Sequence, residues 1–163
     1  MALGLVTFVV LSVLGLLSIG INSNRISMEE TRGAFILTLL EADLRNSFPN
    51  NTATSTIYGL PTPYALDKDD KRILNPAIQA GTFQSIGLDA SERPASLTGT
   101  GANRPQYQAS IVYIRVPAAS HLEAIQARLI VNWPGKKVAD PRVLTTPSSV
   151  SGYVESYVTF PAP

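Results

Sequence analysis

Residues Ala2 to Ile21, ALGLVTFVVLSVLGLLSIGI, carry no charge, and their only polar side chains are Thr7, Ser12 and Ser18. These hydroxyls can bond back to a helix carbonyl, so they do not interrupt a helix. About 20 residues at roughly 1.5 Å each match the ~30 Å thickness of a bilayer's hydrocarbon layer. Lipid offers the backbone no hydrogen-bond partner, so an inserted run of this kind must be helical. Burying such a helix inside a soluble body would need a larger protein, because the 163 residues amount to about one domain.

Two fates are open to this segment. A secretory signal peptide would be removed, and Ser18-Ile19-Gly20 has the small-x-small form of a cleavage site. The apolar stretch is nevertheless longer than an ordinary h-region, and no basic n-region precedes it. The residues that follow favour a retained anchor. From Arg25 to Phe48 the chain reads RISMEETRGAFILTLLEADLRNSF. Apolar or small residues recur at Gly33, Ile36, Leu37, Leu40, Leu44 and Phe48, in steps of three and four that define one helix face. Glu29, Glu30, Arg32, Glu41, Asp43 and Arg45 fall mostly on the other faces. Glu41 and Arg45 form an i,i+4 pair in the favourable order, and Pro49 stops the helix. A helix over Ala2–Phe48 would be on the order of 70 Å long. Gly20, Asn22, Ser23 and Asn24 are poor helix formers, and Ser27-x-x-Glu30 fits a capping box, so a break near residues 20–26 is the alternative.

The remainder reads as strands and turns. Tyr64-Ala65-Leu66, a charged DKDDKR run and Ile73-Leu74 predict a hairpin with a charged tip, while residues 87–105 read as a loop. Gln106–Val116, Ala127–Trp133 and Tyr153–Phe160 alternate with period two. Mixed faces suit an antiparallel sheet covered on one side, and the amphipathic stripe is its natural cover. A helix followed by strands is the α+β class. The division along the chain is then an apolar helix over 1–24, an amphipathic helix over 25–48 and a sheet domain over 49–163.

A long N-terminal helix, half apolar and half amphipathic, ahead of a small antiparallel sheet resembles the type IV pilin-like superfamily. Leu3-Gly4-Leu5-Val6-Thr7-Phe8 and Leu14-Gly15-Leu16-Leu17 resemble its prepilin-type anchors. The nearest group is the Verru_Chthon cassette proteins, which are pseudopilin-like. Residues Tyr64–Ile73 resemble their short YFD…G hairpin, and Arg128–Pro134 (RLIVNWP) resembles their late V.V.WP strand.

The resemblance implies a non-enzymatic subunit of a type IV pilus or type II secretion-like assembly. It implies an inner-membrane anchor, a periplasmic domain and other pilin-like subunits as partners, with no cofactor, nucleic acid or small-molecule substrate. Gly4, Ser12, Gly15, Ser18 and Gly20 are the residues expected to let helices approach closely. The positive-inside rule alone would place Arg25 and Arg32 in the cytoplasm; the resemblance implies the opposite side. Superfamily members also carry a leader ending in Gly and an acidic fifth mature residue, whereas the first acidic residue here is Glu29. Alignment of the anchors places Met1 just after the expected glutamate, so coding sequence upstream of Met1 is expected to supply that leader.

Other chemistry has little to build on. Net charge is +1 from 13 basic and 12 acidic residues, which gives no electrostatic case for nucleic acid or an acidic substrate. The absence of cysteine excludes disulfides and thiolate metal sites. His121 is the only histidine and has no motif around it. Asp67, Asp69 and Asp70 weakly resemble a calcium loop, but the glycine and closing glutamate are missing and lysines interleave, so a solvated hairpin tip is expected. Lys136-Lys137 reads as part of a turn, and Gly99-Thr100-Gly101 lacks the Gly-Lys-Ser/Thr of a phosphate loop. Tyr107, Tyr113, Tyr153 and Tyr157 are expected to form an aromatic ladder on the exposed face of the sheet.

Overall fold

A computed structural model describes residues 2–47, 49, 52–98, 104–118, 123–135, 138, 140–143 and 150–161, with helix side chains from Val10 onward. Phe48, His121, Lys136, Lys137 and Gly99, Thr100 and Gly101 lie outside the described residues. Among the described residues the secondary structure is one α-helix, α1 (Ala2–Asn46), followed by seven strands and a short 3-10 turn at Pro141–Val143, so the chain is α+β. Helix is assigned without interruption across residues 20–26. Compactness divides the chain into Met1–Arg32 and Gly33–Pro163. The sequence divisions at 24/25 and 48/49 follow chemistry along the chain, whereas the spatial division falls inside the amphipathic half of α1.

In the second unit a hairpin of β1 (Tyr64–Leu66) and β2 (Arg72–Leu74) stands beside a five-stranded antiparallel sheet. That sheet comprises β3 (Phe83–Leu88), β4 (Pro94–Ala95), β5 (Tyr107–Arg115), β6 (Ile125–Trp133) and β7 (Gly152–Phe160), in the order β4-β3-β5-β6-β7. The hairpin and the three long strands fall where alternation places them. β3 differs: FQSIGL lacks a clean period of two, and its pairing with β5 from Phe83↔Val112 to Leu88↔Tyr107 makes it a strand. The 87–105 stretch is correspondingly not all loop, because Gly87 and Leu88 pair with Ala95 and Pro94.

Ile36, Leu37, Leu40 and Leu44 of α1 are buried in one core with Tyr107, Ala109, Ile111 and Tyr113 of β5, the odd-numbered residues of β6, and Val158 and Phe160 of β7. Gly33 belongs to the same face and meets the Trp133 indole, where a Cβ would lie 2.8 Å from Cζ3. Trp133 is held edge-on by Tyr107 at a centroid distance of 6.5 Å, and its peptide bond to Pro134 is cis. Burying each large apolar side chain contributes about 1.5–3 kcal/mol, so this helix–sheet contact dominates the domain's stability.

Asp43 departs from its expected solvent-facing position. It is buried, and its carboxylate accepts the backbone N–H groups of Ile57 and Tyr58, each at 3.2 Å. Two turns separate Asp43 from Ile36, so it shares the sheet-facing side and ties the helix end to the following loop.

The tyrosines do not form one ladder. Tyr107 and Tyr113 are buried on the helix side, whereas Tyr153 and Tyr157 are exposed on the other face. Register explains the split: Tyr113 pairs with Ala127, whose β7 partner is Val158, whereas Tyr157 pairs with Arg128. The outer face carries a smaller cluster in which Val112 and Ile130 pack with Val138 and Val150, so β5 is buried on both sides.

Candidate anchor and assembly surfaces

Within Met1–Arg32 the described part of α1 exposes Val10, Leu11, Val13, Leu14, Leu16, Leu17, Ile19 and Ile21. At about 100° per residue these positions surround the helix, leaving no polar face. Among the described residues one helix, within Val10–Asn46, is long and apolar enough to cross a membrane, and a signal sequence would meet the same criterion. Leu3, Leu5, Val6, Phe8, Val9, Val10, Leu11, Val13, Leu14, Leu16, Leu17, Ile19 and Ile21 each favour insertion. Together they supply roughly 4–8 kcal/mol on the biological insertion scale. The charged boundary begins at Arg25, which pairs with Glu29 at 3.3 Å. Thr31 donates its hydroxyl to the Ser27 carbonyl at 2.8 Å, presenting its methyl outward.

The small residues do not share one face. Ser12, Gly15 and Ser18 recur every third position, which keeps them within an arc of roughly 120°, and Gly4 falls inside that arc. Gly20 lies two residues beyond Ser18, about 160° away around the axis. A Cβ at Gly15 or Gly20 would meet no atom within 4 Å, so packing within the chain does not require either glycine.

Within Gly33–Asn46 the helix has two contrasting sides. One carries the buried stripe of Gly33, Ile36, Leu37, Leu40 and Leu44. The other exposes Ala34, Phe35, Thr38 and Ala42, with Phe35 54% accessible. From Ala34 to Ala42 no charge falls on that arc, although exposed Arg45 lies on it one turn further on, and Thr38 donates to the Ala34 carbonyl at 3.1 Å. A helix side facing only water ordinarily carries Lys, Arg or Glu. Here the first charge on that side is Arg45, near the helix end, where its Nε donates to Glu41 at the edge of the arc at 2.8 Å.

The aspartates at the β1–β2 turn build the turn itself. Asp67 Oδ1 accepts the N–H groups of Asp69 and Lys71, each at 2.8 Å, and Asp70 adopts φ 55°. The β3–β4 connection repeats this geometry: Asp89 Oδ1 accepts from Ser91 and Arg93 at 2.7 and 3.0 Å, and Glu92 has φ 62°. Among the described residues no group of three His, Asp or Glu side chains converges as a metal site. The one strongly shifted phenol is that of Tyr113, pushed up by burial, and its hydroxyl donates to the Pro61 carbonyl at 2.6 Å. The exposed outer face carries an ion pair in which Arg128 Nε donates to Glu155 at 2.9 Å.

No family model matches this chain, and no curated protein and no solved structure shows significant similarity to it.

Proposed function

We propose that this chain is a non-enzymatic, single-span subunit of the pilin-like kind. Its apolar helix holds it in the inner membrane with the sheet domain in the periplasm. From there it joins other pilin-like subunits in a type IV pilus or type II secretion-like filament. The observation that carries this reading is the display of apolar side chains around the whole helix from Val10 to Ile21. Two surroundings match such a surface: lipid before assembly, and neighbouring helices after it. The Ser12, Gly15, Ser18 arc supports close helix approach, and the Ala34, Phe35, Thr38, Ala42 patch, uncharged as far as Arg45, supports helix contacts made by the domain. Because the chain has no cysteine, single substitutions can probe this directly. Ser18→Cys and Ala42→Cys are each expected to form disulfide-linked dimers when native membranes are treated with a mild thiol oxidant such as copper phenanthroline. Monomers alone at both positions contradict assembly through α1.

A second reading is a secreted β-rich binding module whose N-terminus is a cleaved signal peptide. It is supported by the compact unit that begins at Gly33, whose core would survive cleavage near Ile21. N-terminal sequencing of the mature protein separates the two. A start near Ile21 in a soluble fraction supports the module, and an intact apolar segment in membranes supports the subunit.

A further inference from the structure

Between the end of α1, the start of β1 and the end of β7 lies a cavity of about 250 Å³. Its apolar walls are Leu44, Phe160, Pro49, Pro63 and Pro161. The prolines have no N–H, so these walls offer few backbone donors. Most polar side chains around the cavity are already engaged. Thr62 donates to the Tyr64 carbonyl at 2.8 Å, and the Tyr64 hydroxyl donates to the Pro161 carbonyl. Ser47 accepts the Thr56 N–H at 3.1 Å and donates to Asp43 at 3.3 Å.

The two arginines are different. Arg72 lies over the Tyr64 ring, with its guanidinium carbon 3.9 Å from the centroid. That stacking fixes the guanidinium plane, with one N–H within reach of the Tyr64 hydroxyl and no carboxylate taking up the others. Among the described residues no carboxylate pairs with Arg72, and no acidic side chain lines the cavity. Arg45 also lines it, but its charge is partly offset by Glu41, and its Nη1 faces the Thr159 carbonyl at 3.4 Å.

We infer that this cavity binds a carboxylate carried on a small apolar body, with Arg72 holding the carboxylate and the Leu44, Phe160 and proline walls enclosing the body. Charge and donor supply set the class. One uncompensated, pre-oriented guanidinium selects a planar monoanion. The remaining surface has little to offer a second polar group. The volume lies just under the usual range for small-molecule pockets, which suits a body about the size of one ring.

The test uses the full chain in nanodiscs, isotope-labelled, titrated with phenylacetate and separately with phenylacetamide. Phenylacetate is expected to shift the Tyr64 and Arg72 amides at millimolar concentration, and phenylacetamide to leave them unmoved. Arg72→Gln is expected to weaken binding about tenfold or more, while Arg72→Lys keeps the charge and loses less. N-acetyl-leucine with a free carboxylate forms a second arm. Tighter binding than phenylacetate identifies a peptide C-terminus as the source, and weaker binding identifies a free acid. Equal shifts from acid and amide overturn the inference, as does unchanged affinity in Arg72→Gln or the absence of shifts at Tyr64 and Arg72.

Discussion

Gly33 of α1 and Trp133 of β6 approach so closely that a methyl group on Gly33 would sit 2.8 Å from the indole Cζ3. Gly152 lies against the same ring, so one indole occupies the space left by two missing side chains. Gly33 therefore serves as a seat for Trp133, in a helix that would otherwise gain from alanine.

Two opposing magnitudes set the outcome of Gly33→Ala. Helix propensity favours alanine by about 1 kcal/mol. Overpacking against the indole costs about 1–3 kcal/mol. The single substitution is expected to be destabilising by up to about 2 kcal/mol. In a Trp133→Leu background the indole clash disappears and only the 3.1 Å approach to Val154 Cγ2 remains, so the same Gly33→Ala change is expected to cost less or become neutral. Chemical denaturation of the four variants reads this as a double-mutant cycle, and an unchanged penalty in the Leu background removes the contact as its cause.

The two hairpin turns hold Asp70 and Glu92 in left-handed backbone at φ 55° and 62°. That conformation costs an L-residue roughly 1–2 kcal/mol and costs glycine little. Asp70→Gly and Glu92→Gly are each expected to stabilise the domain by about 0.5–1 kcal/mol, because glycine's greater unfolded-state entropy takes back part of the relief. Asp67→Ala and Asp89→Ala are expected to destabilise by about 1 kcal/mol each, through the loss of two amide acceptors. Thermal melts measure all four. A melting temperature that rises with calcium in the unmodified protein but not in Asp67→Ala would instead point to a calcium site at this turn.

Burial pushes the Tyr113 phenol up from its ordinary value of 10.0, and Tyr58 and Tyr64 move the same way, also chiefly through burial. The unfolded chain then loses these protons at lower pH than the folded one. Below pH ~10 both states are protonated and the contribution is complete; above it the unfolded state binds fewer protons, and stability falls as pH rises. Tyr113, the deeply buried one, contributes a slope of up to about 1.4 kcal/mol per pH unit, and the other two add less. Denaturation midpoints followed from pH 8 to 11.5 should fall steeply above about 10. Tyr113→Phe should flatten part of that fall while costing about 1 kcal/mol at neutral pH, from the lost bond to Pro61.

Legibility in the sequence tracked how local the signal was. The stripe from Ile36 to Leu44 and the three long strands carry their periods in the chain itself. β3 does not, because its strand character comes from lying beside β5, and strand propensity is largely context. Alternation sorts β5 into two sets but does not say which set faces the helix, so the expectation that put Tyr107 and Tyr113 on the exposed face chose the wrong side for both. Asp43 was readable, since its spacing from Ile36 puts it on the buried side. Its charge pointed outward, and only the loop amides of Ile57 and Tyr58 explain its position. The Arg72 cavity joins residues from opposite ends of the domain, and no spacing in the chain announces it.

The proposed anchoring role of α1 is tested most directly by where the Val10–Ile21 segment resides in the mature protein. Membranes washed at alkaline pH should retain the full chain, and intact mass should include that segment. Leu14→Cys should resist a membrane-impermeant maleimide until detergent is added. Recovery of the protein in the soluble fraction with this segment missing, or immediate labelling at position 14, would contradict an anchored subunit.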